Sequence, residues 1–129
     1  MSQSVDFDKK PQLDRIQGML VPAETLYAVY DLKGSGSGFI GITDLRVIIM
    51  DQAFLRKQKS LVSIPYSRLT AVASEDSGKI VWGSFLGSSN LTLVASNHTW
   101  ELEFRSNEKA HRAYTLIMQN LLQGEVPGR

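Results

Sequence analysis

The order of the predicted elements is the feature that most constrains the fold of this chain. Seven segments with the residue pattern of β-strands lie between residues 24 and 105, and one long amphipathic helix follows at residues 107–123. The apolar stripe of this helix consists of Ala110, Ala113, Tyr114, Ile117 and Leu121. Because a sheet must bury its apolar face, this order predicts a mainly β fold. We expect a seven-stranded open barrel or orthogonal sandwich, capped by the C-terminal α-helix.

Short breaks divide the first part of the chain into segments of strand length. The predicted strands cover residues 24–33, 39–43, 46–50, 60–64, 69–74, 91–96 and 99–105. Asn97 and His98 separate the last two strands, and because Asn tolerates a positive φ they are predicted to form a two-residue hairpin turn. The run at residues 47–50 is continuously apolar, which predicts a strand that is covered on both faces.

The segment before the first strand carries a short helical signal. Residues 1–9 are polar and are predicted to be frayed. Pro11 suits the first turn of a short N-terminal helix, which we expect to end at Pro22. The apolar stripe of this helix consists of Leu13, Ile16 and Leu20. These signals divide the chain into an N-terminal tail with a short helix, one globular domain and a C-terminal tail, at residues 1–22, 23–123 and 124–129.

Composition argues against several classes of function. The 14 basic and 13 acidic residues give a net charge of +1, which argues against a dedicated nucleic-acid binder. The chain has no cysteine, so disulfides, thiolate metal sites and a cysteine nucleophile are excluded, and a reducing compartment is favoured. We see neither a secretory signal nor an apolar run of about 20 residues. These features predict a cytoplasmic protein.

Three separated stretches of the sequence resemble one known family. They are KGSGSGFIGITD at residues 33–44, SIPYSRLTAV at 63–72, and FR at 104–105 together with KAHRAY at 109–114. On these stretches, which occur in the same order, the chain is similar to the bacterial pleckstrin-homology (PH) domain family. The resemblance spans roughly residues 20–122, which is nearly the whole chain.

This resemblance implies a seven-stranded PH-like barrel with a C-terminal helix. It implies no enzymatic activity, so we expect neither catalytic residues nor a cofactor. It also implies a cyclic homo-oligomer, of which a pentamer is one form, with a polar surface where strands of neighbouring protomers meet. We therefore expect a non-catalytic module that assembles into a ring and contacts a protein partner, whose identity the sequence does not reveal.

Two groups of residues are candidates for an interaction interface. Glu101 and Glu103 occupy the outward positions of the last strand, whose inward positions are apolar. Trp82, Phe85 and Leu86 are large apolar side chains in a connection that is rich in Gly and Ser. These three side chains either fold back onto the core or form an exposed patch at a subunit or partner contact.

Peripheral binding to anionic lipid is the alternative function. Arg56, Lys57 and Lys59 form a basic cluster in one connection, and Lys33 precedes the glycine-rich loop at residues 34–38. PH domains that bind phosphoinositides carry several basic residues around their first loop, whereas here only Lys33 is basic. Three exposed cations contribute about 1 kcal/mol each at an anionic membrane, so stable attachment would need a second signal.

The remaining polar residues predict no chemistry. The glycine-rich loop has no Lys-Ser or Lys-Thr pair after it, so it lacks the spacing of a phosphate-binding loop. His98 and His111 have no ligand partner at suitable spacing, so we expect no metal site. No set of acid, base and nucleophile converges in the sequence, which disfavours a small hydrolase.

Overall fold

Eight strands and two α-helices make up the part of the chain that the computed structural model describes, namely residues 4–33, 38–51, 60–75 and 89–123. The strands are β1 (Asp6–Phe7), β2 (Leu26–Lys33), β3 (Gly38–Thr43), β4 (Arg46–Asp51), β5 (Ser60–Pro65), β6 (Leu69–Glu75), β7 (Asn90–Ala95) and β8 (His98–Phe104). The helices are α1 (Lys10–Gln17) and α2 (Asn107–Gln123), and a 3-10 turn (Tyr66–Arg68) links β5 to β6. The seven predicted strands and the C-terminal helix are confirmed.

One strand, β2, belongs to both halves of the sheet. The antiparallel strand order is β5-β4-β3-β2-β8-β7-β6. The first part of β2 pairs with β3, whereas only Leu32 and Lys33 at its end pair with β8. Around Ala28 and Val29, the edge of β2 opposite β3 is therefore not paired with β8. The short strand β1 pairs with β2 there in parallel. The strands from β2 to β8 and helix α2 are called the barrel below.

The larger of two apolar cores lies between the inner face of the sheet and α2. Alternate residues of β2, among them Tyr30, point inward, and the ring of Tyr30 meets that of Phe104 edge-on with centroids 6.1 Å apart. The predicted stripe of α2 faces this core, since Ala110, Ala113 and Ile117 are buried in it. Ser106 caps the start of the helix, since its Oγ accepts a hydrogen bond from the Lys109 N–H at 3.2 Å.

A second apolar core lies on the outer face of the sheet, under α1. Leu13 and Ile16 of the helix are buried there at 6% and 0% exposure. Burying two such side chains contributes about 1.5–3 kcal/mol each, before the cost of ordering the segment. The sheet residues beneath them are Leu26, Val29, Phe39, Ile48 and Met50. Because α1 covers this face, residues 47–50 are buried on both faces, as their continuous apolar run predicts.

The N-terminal segment corrects two predictions. Residues 4–9 are not frayed, because β1 pairs with β2 and the Asp8 N–H donates to Val29 O at 3.2 Å. Helix α1 ends at Gln17 and not at Pro22, because the Gly18 N–H already closes the last turn on Asp14 O. Leu20 nevertheless packs, partly buried, against the outer core. Residues 4–20 are called the N-terminal arm below.

The arm approaches the sheet closely at a glycine of β3. A Cβ added at Gly41 of β3 would lie 2.9 Å from Cγ2 of Ile16 and 3.1 Å from its Cδ1. Real Cβ atoms are not found this close to a neighbour, so a side chain at this position would push α1 away from the sheet. Gly41 therefore sets the height at which the arm rests.

The last hairpin turn is displaced by one residue from its prediction. Ala95 and His98 are paired across β7 and β8, so the two-residue turn consists of Ser96 and Asn97. Ser96 adopts the positive φ of the turn, at 57°, and His98 is the first residue of β8 and not a turn residue. The positive φ falls on the residue before the Asn that was expected to adopt it.

Candidate functional site

The two ends of the sheet leave open strand edges. Within the described ranges, β5 pairs only with β4 and β6 only with β7. Leu61 lies on the β5 edge strand with 52% of its surface exposed, and Ala71 and Ala73 of β6 are exposed. Neither edge carries a charge over residues 60–65 or 69–74. Proteins commonly place charged residues on edge strands to prevent pairing with other chains, and these edges lack that protection.

The predicted carboxylates lie on β8, away from the edge strands β5 and β6. β8 runs between β2 and β7, and Glu103 is paired with both neighbours, whereas Glu101 is paired with β7 alone within the described residues. Glu101 is exposed, and Glu103 is half-buried with its Oε2 3.4 Å from Lys33 Nζ. This ion pair joins a residue predicted for a protein interface to one predicted for lipid contact. Because both side chains are well exposed, the pair contributes at most about 1 kcal/mol.

Six predicted site residues lie outside the described residues. They are Arg56, Lys57, Lys59, Trp82, Phe85 and Leu86. Lipid contact through the basic cluster and the interface role of the Trp82 segment therefore stay predictions. Of the four basic residues predicted to contact lipid, the structure places only Lys33, whose ammonium group is engaged by Glu103.

A polar cluster that the sequence did not indicate surrounds Asp31, at the junction of the arm and the barrel. Asp31 is 3% exposed, and its carboxylate accepts hydrogen bonds at 2.7 Å from both Gln12 Nε2 and Arg105 Nε. Lys9 Nζ lies 3.5 Å from the same carboxylate. Burial acts to raise the pKa of Asp31, but these hydrogen bonds and positive charges outweigh it and lower that pKa.

Two carboxylates of the arm bind beside Asp31. Asp8 Oδ2 accepts the Asp31 backbone N–H at 2.8 Å, while its Oδ1 is paired with Lys109 Nζ. Asp6 Oδ2 accepts the Tyr30 hydroxyl at 2.6 Å and lies 3.6 Å from Arg112 Nε. Burial, followed by the hydrogen bond to Asp6, raises the pKa of Tyr30.

These contacts together form the arm cluster, whose members are Asp6, Asp8, Lys9, Gln12, Tyr30, Asp31, Arg105, Lys109 and Arg112. The only signal in the sequence is the spacing of Asp6 and Asp8, which places both side chains on one side of an extended segment. Without the barrel, that spacing has no evident partner. For this reason the sequence predicts a frayed polar tail at residues 1–9.

A second polar cluster lies where the arm joins the barrel. Arg46 donates from Nε to Glu24 Oε2 at 2.8 Å and from Nη2 to Glu24 Oε1 at 2.9 Å. The Thr43 hydroxyl donates to Glu24 Oε2 at 2.7 Å, and Met19 O accepts from Arg46 Nη2 at 3.0 Å. The Glu24 side chain is fully buried, and mainly the hydrogen bonds from Arg46 lower its pKa to about 2. Glu24, Thr43 and Arg46 are called the hinge cluster.

Over the residues that the structure describes, no group of three or more metal-ligating side chains comes together. The ring of His98 contacts that of Trp100 at a tilt of 50°, with ring centroids 4.3 Å apart. Among the described helices, none combines the length and apolar character needed to cross a bilayer.

Known proteins share both the sequence pattern and the fold. The bacterial PH domain family matches residues 23–119, whereas no curated protein matches the chain. A pleckstrin homology domain from Shewanella amazonensis SB2B has a similar structure, with a TM-score of 0.63 and 22% identity, over 89% of this chain and 99% of that one. The C-terminal domain of an unknown protein from Leishmania infantum is similar at a TM-score of 0.52 and 16% identity, over 88% of this chain and 94% of that one. Since the match begins just before β2 and ends within α2, covering the barrel, this chain belongs to the bacterial PH domain family.

Proposed function

We propose that this protein is a non-catalytic assembly module whose copies associate through their strand edges into a closed homo-oligomer. The observation that carries the proposal is the pair of open edges at β5 and β6, which carry no charged residue over 60–65 and 69–74. The exposed Leu61 adds an apolar side chain to the first of them. An unpaired edge of this kind presents backbone N–H and C=O groups that a strand of a second copy can bind.

The two edges belong to different strands, which determines the kind of assembly. If β5 of one copy binds β6 of the next, the contact is head-to-tail, and the copy at each end of an open chain retains one free edge until the assembly closes. Closure by rotation gives a ring, and failure to close gives an open filament. A ring is the form that leaves no edge unpaired.

The polar face of β8 is the surface we assign to a protein partner. Glu101, Glu103 and Lys33 lie on β8 and β2, away from the edge strands β5 and β6, so association through those two strands leaves them accessible. The absence of cysteine supports a reducing, cytoplasmic setting for the assembly.

The test compares two leucines of nearly equal exposure. Leu61 lies on the β5 edge at 52% exposure, and Leu45 lies between β3 and β4 at 49%. Size-exclusion chromatography with multi-angle light scattering is expected to give an oligomer for the wild type and for Leu45→Lys. Leu61→Lys is expected to lower the mass, because a lysine on an edge strand opposes pairing with another strand.

The β6 edge allows the same comparison. Ala73→Lys places the charge on this edge, whereas Thr92→Lys places it at a partly exposed position of β7 that is paired on both sides. We expect Ala73→Lys to dissociate the oligomer and Thr92→Lys to leave it intact. A wild-type protein that is monomeric at micromolar concentration contradicts the proposal, and so does an oligomer that all four variants preserve.

A further inference from the structure

The N-terminal arm occupies a groove on the barrel of its own chain, between β2 and α2. We propose that the groove between β2 and α2, which binds the Asp6–Asp8 segment of its own chain, accepts the same segment from a neighbouring copy, so that arms are exchanged within the assembly. This inference rests on the proposed self-association and names a second contact between the same copies.

The groove supplies the backbone partners of an extended strand. β8 pairs with β2 only at Leu32 and Lys33, which leaves the preceding edge of β2 open. The arm fills that edge through the parallel pairing of Asp6 with Ala28 and of Phe7 with Val29. The Asp8 N–H donates to Val29 O at 3.2 Å. Any extended segment could form such backbone contacts, so they explain binding but not selectivity.

Selectivity comes from the two carboxylates. Residues two apart in an extended strand point to the same side, and here that side faces Tyr30 and α2. Asp6 accepts the Tyr30 hydroxyl, and Asp8 accepts the Asp31 N–H and is paired with Lys109. Arg112 Nε adds a positive charge 3.6 Å from Asp6. The groove therefore recognises Asp-x-Asp in an extended conformation, which every copy of the chain carries at residues 6–8.

The connection between arm and barrel favours exchange. Ala23, in the short turn that follows the arm, has a φ of 71°. This left-handed conformation is unfavourable for a residue with a Cβ. Opening the turn would release that strain, while the contacts of β1 and α1 would form again on the neighbour. A strained connecting loop is a recognised cause of exchange between identical chains.

Disulfide cross-linking can test whether the arm of one chain binds the groove of another. The natural sequence has no cysteine, so one cysteine can be introduced into the arm of one chain and one into the groove of another. Phe7→Cys is placed in one chain and Val29→Cys in another, since these residues are paired in register. Val29 is fully buried beneath the arm, so its thiol is reached only by a docked arm. Mild oxidation of the mixture is expected to give a disulfide between residues 7 and 29 of different chains, identified in a non-reduced digest.

The control replaces Phe7→Cys by Leu45→Cys, a thiol at a position of similar exposure, 49% against 39%, that the groove does not bind. The doubly substituted chain, Phe7→Cys with Val29→Cys, shows whether the bond can form at all. If this chain closes its internal disulfide while the mixture gives no more cross-linking than the Leu45→Cys control, the exchange is overturned. An oligomer in light scattering would still support the proposed function in that case, whereas a monomer would overturn both.

A second measurement applies if the internal disulfide fails to form. A fluorescent peptide of residues 1–20 is titrated into the full-length protein, whose own arm it must displace. Saturable binding, weakened about tenfold or more by Asp6→Asn with Asp8→Asn in the peptide, supports exchange. Absence of binding overturns it. Equal binding of an unrelated Asp-x-Asp peptide, without the 7–29 cross-link, would assign the groove to another protein and also overturn exchange.

Discussion

The arm cluster and the hinge cluster both join the N-terminal arm to the barrel, but by different physical means. In the hinge cluster, the Glu24 side chain is fully buried and both its oxygens accept hydrogen bonds from Arg46. In the arm cluster Asp31 is buried, but the cations that bind Asp8 and Asp6 are partly open to solvent, with Lys109 and Arg112 exposed at 30% and 54%. A buried pair is costly to break from one side, whereas an exposed pair is weak and screened by salt. From this difference we expect the ion pairs of the arm cluster to open more readily than the hinge cluster.

Removing one partner of the hinge pair is expected to have the largest effect. Arg46→Leu leaves the Glu24 carboxylate buried without its charge partner, which typically costs about 3–5 kcal/mol. Urea unfolding followed by circular dichroism measures the loss. Asp8→Asn, made in the arm cluster, is the matched control and should cost less, because the arm can separate while the barrel stays folded. Equal losses for the two variants would contradict the contrast between the clusters.

The second largest effect is expected from acid, which should weaken the hinge cluster. The pKa of Glu24 is lowered from 4.5 to about 2 in the folded protein, so the unfolded chain binds the proton first as the pH falls. The Glu24 carboxylate therefore stabilises the folded state by about 3 kcal/mol above about pH 4.5, and this contribution is lost as the pH falls towards 2. The lowered pKa of Asp31 acts in the same direction. In the Glu24→Gln variant, the unfolding free energy should lose the larger part of its dependence on pH in acid. The same pH profile in the variant and the wild type would contradict this role of Glu24.

Filling the space above Gly41 is expected to have an intermediate effect. Gly41→Ala brings a methyl group against the buried Ile16, and overpacking of this kind costs about 1–3 kcal/mol. The same substitution in an Ile16→Ala background should cost little, because the opposing side chain is gone. A double-mutant cycle of unfolding free energies measures this coupling. A cost that is the same in both backgrounds would place the strain in the sheet and not in the arm.

The smallest expected effect is in the arm cluster itself. Lys109→Gln removes the charge that pairs with Asp8, and we expect a loss of stability below about 1 kcal/mol. Hydrogen exchange at the Asp8 amide, which bonds Val29 O, reports opening of the arm more sensitively. Exchange there should rise with added salt in the wild type and depend less on salt in the variant. Protection that is insensitive to salt would show that apolar contacts alone hold the arm.

The sequence predicted those parts of the structure that follow from local periodicity. The alternation in β7 and β8 and the stripe of α2 placed the barrel and its helix, because each pattern has one face that must be buried. The continuous run at residues 47–50 indicated a second covered face, but it did not show that α1 covers it. The end of α1 escaped prediction because the apolar period continues to Leu20, whereas the helix closes at Gly18.

The candidate site was largely beyond prediction because its residues are distant in sequence. Asp8 and Lys109 are 101 positions apart, and Asp31 and Arg105 are 74 apart. No local pattern relates such residues, and only the path of β2 beside α2 brings them together. The polar face of β8 was indicated by its alternation, although its pairing with Lys33 was not. The edges became apparent only once the order of the strands was known.

The close approach of Ile16 to Gly41 also makes a prediction about other members of the family. A chain with a larger residue at the position of Gly41 has no room for a side chain as large as that of Ile16 on a helix at this height above the sheet. We therefore expect glycine at this β3 position, combined with an apolar residue in a preceding helix, to identify relatives that carry a docked N-terminal arm. The family match begins only at residue 23, so this one position within the barrel is the sequence marker of an arm that lies outside the shared domain.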